Sequence, residues 1–167
     1  AKAGAGKEVA DKLMSQLAPL KPPYEQWFVN GNNTVKLDWQ VGDEFIGGFQ
    51  SKLKSAGWKE TAAGSGVFQK AFTEPGVGET KFEIRTRLGG GGRLLDKLPD
   101  PAVNIVGYDG HANWGKNQVS SIKNASPLSD GGASKLFFSN LCVGKSQIDA
   151  FKEKFPNLQV ATTYGSS

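Results

Sequence analysis

Ala102-Val-Asn-Ile-Val-Gly-Tyr108 and Lys135-Leu-Phe-Phe-Ser-Asn-Leu141 are the two most continuous apolar stretches in the chain. Neither alternates apolar with polar residues. Each reads as a strand buried on both faces, the pattern of a parallel sheet covered by helices on both sides. Between them Val119 to Ala125 reads as a short helix or turn, and Ser146 to Phe155 follows the second as a helix. Its inward residues are Ile148, Phe151 and Phe155, its cap Ser146 and its stop Pro156. Leu158 to Tyr164 is the next strand. Strand alternating with helix predicts an α/β three-layer sandwich with a mostly parallel central sheet.

Upstream, Thr34 to Trp39 alternates Val35, Leu37 and Trp39 as a strand. A helix follows from Asp43 to Ala56, with Asp43 as cap and Phe45, Phe49 and Leu53 as its buried stripe. Gly47-Gly48 inside that helix costs about 1 kcal/mol per glycine relative to alanine. Close packing on the sheet is the expected reason. Val67 to Phe72 and Thr80 to Leu88 form a hairpin, with Lys81, Arg85 and Arg87 on a solvated face. Gly89 to Gly92 is a glycine loop, and Arg93 to Leu98 a short helix. Gly6 to Ala18 is an amphipathic helix ended by Pro19, and Tyr24 to Phe28 a short segment. The expected organisation is an N-terminal helix and connector over 1–33 and one α/β domain over 34–167.

The chain has 167 residues, which suits one such domain. Apolar residues are 38% and no apolar run approaches the roughly 20 residues of a bilayer span, so neither disorder nor a membrane role is expected. The 20 Lys and Arg are interleaved with 16 Asp and Glu, without the basic stripe of a nucleic-acid binder. The glycine loop lacks the Gly-Lys-Ser/Thr ending of a P-loop. A single cysteine and a single histidine exclude a disulfide framework and any multi-cysteine or three-histidine metal site; no metal or other cofactor is expected. Ala1 to Ala18 has no apolar leader core, and secreted and cytoplasmic locations both stay open.

That one histidine, His111, and that one cysteine, Cys142, occupy equivalent places. Each lies just past the C-terminal end of one of the two apolar strands. Sites in open α/β sheets form at that edge. If the two strands are parallel neighbours, about 4.8 Å apart, imidazole and thiol emerge side by side. A thiol needs a base or cation beside it to become a nucleophile at neutral pH. Gly110 and Gly144 would let a substrate backbone approach closely. Taken singly, a lone cysteine after a core strand reads as a small hydrophobe and a lone histidine as a solvated side chain. The joint placement favours chemistry.

Val106-Gly-Tyr-Asp-Gly-His-Ala-Asn113 resembles the strand-plus-Gly-His motif of the caspase-like cysteine peptidases, and Phe137-Phe-Ser-Asn-Leu-Cys-Val-Gly144 resembles their strand ending in Cys-x-Gly. The order, histidine before cysteine on consecutive core strands, agrees. Val160-Ala-Thr-Thr-Tyr-Gly-Ser-Ser167 looks like the following strand, which ends near the substrate pocket. The resemblance implies a thiol endopeptidase acting on a peptide or protein substrate. Cys142 would attack the scissile carbonyl and His111 would protonate the leaving amine. Oxyanion and cleft positions would be Gly110, Ala112 and Gly144. Asp109, Asn113, Asn140 and Ser166 are candidates to orient the histidine or line the pocket; each also reads as a turn or capping residue.

Many members carry glycine after the histidine, where this chain has Ala112. No single S1 residue stands out: Asp38, Asp109 and Asp130 are all candidates to favour a Lys or Arg side chain. The family has a further strand after the one near Tyr164, so Ser167 is read as an end made by self-cleavage, with a second chain supplying the rest. The alternatives are a catalytically silent caspase-like binding or regulatory module, and a non-peptidase domain holding a small acidic ligand near Gly89 to Arg93.

Overall fold

The computed structural model describes residues 24–75, 78–89, 95–111, 116–140 and 145–162. The helix expected over Gly6 to Ala18 lies outside them. A 3-10 segment, Tyr24–Gly31, leads into β1, Thr34–Val41. Then come α1 (Asp43–Ser55), β2 (Lys59–Glu60), β3 (Val67–Glu74), β4 (Gly78–Leu88) and β5 (Ile105–Asp109). The chain continues through α2 (Lys116–Asn124), β6 (Leu136–Asn140), α3 (Lys145–Lys154) and β7 (Gln159–Thr162). The strands form one seven-stranded sheet in the order β2-β3-β4-β1-β5-β6-β7. It is parallel from β4 to β7 and antiparallel from β2 to β4. This is an α/β fold with a mostly parallel mixed sheet and the expected hairpin.

Alternate side chains of a strand face opposite sides, so the sheet separates two cores. On one side Leu53 of α1 joins Phe68 and Ile84, with Leu37, Trp39 and Phe49 against them. On the other, Val106 and Phe137 meet Ile122, Phe151 and Phe155, together with Leu98 and Leu158. The Phe137 and Phe151 rings lie 4.7 Å apart and are buried. Burial of each such ring contributes about 1.5–3 kcal/mol.

Several local expectations need correction. α1 is capped by Gly42, whose extended backbone turns its carbonyl onto the N–H groups of Phe45 and Ile46; Asp43 is already helical, its carboxylate accepting the N–H of Glu44. Phe45 is 41% exposed, because the first turn of α1 stands beyond the sheet edge, whereas Phe49 is half-buried on Trp39 and Leu53 is buried. α3 starts at Lys145, so Ser146 sits inside its first turn. β5 starts at Ile105, because Asp100 draws Ala102 and Val103 into a turn through its carboxylate and carbonyl. Residues 95–99 form turns instead of a helix. Arg87 is not on a solvated face: its guanidinium donates to Asp38, at 2.5 Å, and to Asp96.

Gly47 and Gly48 have no packing role. A Cβ at either would meet nothing within 4 Å. Their helical backbone then leaves only the entropic cost of glycine. Gly47→Ala and Gly48→Ala should each stabilise the fold by about 0.5–1 kcal/mol, seen as a raised denaturation midpoint.

Candidate functional site

Parallel neighbours β5 and β6 end together, Asp109 opposite Asn140. The pairing continues one step further, with the N–H of Gly110 donating to the carbonyl of Asn140 at 3.3 Å. On the other flank the N–H of Gly42, just past β1, donates to the carbonyl of Asp109 at 2.9 Å. The C-terminal ends of β1, β5 and β6 are thus stitched into one rigid edge.

Trp39 braces this edge from below. Its ring stacks on Phe49 at 5.8 Å and reaches Phe138 of β6 at 5.2 Å. To do so it crosses β5 over Gly107, where a Cβ would fall 2.2 Å from the ring. Only glycine leaves that space. Gly107→Ala should destabilise the protein by about 1–3 kcal/mol, measured by chemical denaturation, because the ring is held on both sides and cannot withdraw freely.

His111 lies two residues beyond β5 and its side chain is 75% exposed. Its Nε2 is 2.7 Å from Oε1 of Glu44, on the first turn of α1. Its ring centroid is 5.3 Å from that of Phe45. The hydroxyl of Tyr108 donates to the carbonyl of His111 at 2.8 Å, fixing the backbone there. Burial pushes the Tyr108 hydroxyl pKa above its ordinary value, and the charges of Asp109 and Glu44 push the same way. The Nε2 atom thus faces a carboxylate. The exposed Phe45 ring adds an apolar surface beside it.

The other expected residues divide. Asp109 and Asn140 meet at the edge, the Asn140 amide donating to the Asp109 carboxylate at 2.9 Å. Gly110 is packed closely; a Cβ there would meet the Tyr108 hydroxyl at 2.8 Å. Ala112, Asn113, Cys142, Gly144 and Ser166 lie outside the described residues, as do residues 90–93 of the glycine loop. Asp38 and Asp130 are not at this edge. Asp38 shares its sheet face with Val106 and binds Arg87, while Asp130 closes the turn before β6 by accepting from Gly132 and Ser134. Among the described residues, no three His, Cys, Asp or Glu side chains cluster as a metal site. No described helix is long and apolar enough to cross a membrane.

Glu44 is the residue that sequence reasoning missed. An acidic first turn is ordinary at a helix N-terminus, where it complements the helix dipole. What singles out Glu44 is the placement of β1 beside β5. That neighbourhood brings the start of α1 against the end of β5, and it depends on long-range strand order. Compared with known proteins, the chain matches no protein-family model and no curated protein.

Proposed function

We propose that the chain is a caspase-like cysteine endopeptidase using a His111–Cys142 dyad, with Glu44 as a positioning residue for the imidazole. The observation that carries this reading is the parallel β5–β6 pairing with Asp109 opposite Asn140. His111 is two residues beyond the first and Cys142 two beyond the second. Chain geometry keeps the Cα of Cys142 within about 7.6 Å of the Asn140 Cα. The paired strands are about 4.8 Å apart. Both residues thus follow paired strand ends at one sheet edge, which supports a shared site.

In this mechanism His111 takes the thiol proton of Cys142, and the sulfur attacks the carbonyl carbon, its electron pair forming the carbon–sulfur bond. The carbonyl electrons move to oxygen, where backbone N–H groups beside Cys142 and His111 stabilise the charge. Collapse breaks the carbon–nitrogen bond as His111 gives its proton to the amine. Water then attacks the thioester carbonyl as His111 takes its proton; collapse breaks the carbon–sulfur bond, the acid product leaves, and His111 returns the proton to the sulfur.

The Glu44 carboxylate lies 2.7 Å from His111 Nε2 on an exposed flank. Glu44→Gln should therefore lower kcat about tenfold, while KM stays within about twofold. Steady-state hydrolysis of a cleaved peptide measures both. An unchanged kcat would remove Glu44 from the reading.

A further inference from the structure

At the opposite edge, where β5 and β6 begin, lies a cleft of about 480 Å³ walled by Trp27, Pro99, Pro101, Pro127, Leu128 and Lys135. The rest of its lining is polar, Gln26, Asn104, Ser129, Asp130 and Ser134, so the cleft sets apolar walls beside several hydrogen-bonding groups. Lys135 is the unusual member. It is only 8% exposed, and its ammonium donates to the carbonyls of Asp100, at 2.7 Å, and Val103. An ammonium has three N–H donors, and those two carbonyls take two. No described carboxylate forms an ion pair with it.

The nearby acids do not fill that role. Asp130 also lines the cleft, but its carboxylate is occupied by the N–H of Gly132 and by the N–H and hydroxyl of Ser134. Asp100 reaches Lys135 through its backbone carbonyl, while its carboxylate accepts from the Ala102 N–H. Burial pulls the Lys135 pKa down, and the charges of Asp100 and Asp130 pull against it. A buried cation without a contacting counter-ion is costly unless an anion joins it.

We propose that this cleft binds a small organic carboxylate, whose charged end takes the third N–H of Lys135 and whose apolar body lies against the Trp27 and proline walls. The site stands apart from the His111 edge and does not depend on the peptidase reading.

The test is an NMR titration of the full chain with benzoate, with benzamide as the uncharged control. Benzoate should give saturable shifts at the Trp27 indole and at amides of 102–104 and 128–135, with a Kd of about 1 mM. Benzamide should bind about tenfold more weakly, as should benzoate to Lys135→Met. Because Lys135 also holds two carbonyls, Lys135→Met can lose the fold. Ser129→Trp, from an exposed position on the cleft rim, leaves those bonds in place and should block benzoate. Equal binding of benzoate and benzamide, undiminished benzoate binding to either folded variant, or no saturable shifts would each overturn the proposal.

Discussion

If the proposed dyad holds, His111→Ala should lower kcat for peptide hydrolysis by about 10²–10⁴-fold, and Cys142→Ala should leave no turnover through a thioester. The first loss should be large because, in the proposed mechanism, the imidazole moves a proton in both halves of the reaction. The variant should nevertheless fold normally. The imidazole is 75% exposed, and its described side-chain partners are Glu44 and the Phe45 ring, both on the exposed first turn of α1. The backbone carbonyl that binds Tyr108 is untouched. Activity and stability should therefore separate, with the rate reduced at least about 100-fold and a denaturation midpoint close to that of the parent. Rate assays and thermal melts on the same samples check this.

The largest expected effect on stability is at Arg87. Its side chain bridges Asp38, which is 3% exposed, and Asp96, which is 38% exposed. Burial raises the Asp38 pKa even though Arg87 hydrogen-bonds to it and opposes the shift. Arg87→Met leaves Asp38 buried without its cation. The loss should be about 2–4 kcal/mol at neutral pH, below the full value for a buried pair because Arg87 is itself 24% exposed.

The pH dependence follows from the direction of that shift. A carboxyl whose folded pKa lies above its unfolded value is penalised in its charged form. Its contribution to stability falls as pH rises from the ordinary carboxylate range through the raised value. Removing Arg87 widens that window. The deficit of Arg87→Met should therefore be smaller at pH 5 than at pH 7.5, and adding Asp38→Leu should recover most of it. Denaturation curves at the two pH values decide this. A deficit that grew on acidification would contradict the account.

The parts of the fold that were legible came from local signals. Val106 and Phe137 sit in continuous apolar runs because their strands are covered on both faces, and that pattern survives without any knowledge of neighbours. The hairpin of β3 and β4 was legible from a different local pattern, Phe82, Ile84 and Thr86 alternating with Glu83, Arg85 and Arg87. Phe45 was misread because helical period says which residues share a face but not where the sheet under that face stops. Arg87 was misread because its partners, Asp38 and Asp96, become neighbours only once β4 lies beside β1. Glu44 escaped notice on the same ground, through β1 beside β5. Gly47 and Gly48 carried a packing explanation that the open space around them does not support. The reading of His111 assumed that its strand neighbours the one before Cys142, and the Asp109–Asn140 register supplies that relation.

The most direct test of the dyad is digestion of a mixed peptide library, read by mass spectrometry, with the parent protein and Cys142→Ala in parallel. The account predicts new peptide ends sharing a common P1 residue in the parent digest and none in the variant. Cleavage that persists in Cys142→Ala, or a folded parent that leaves the library intact, would contradict it.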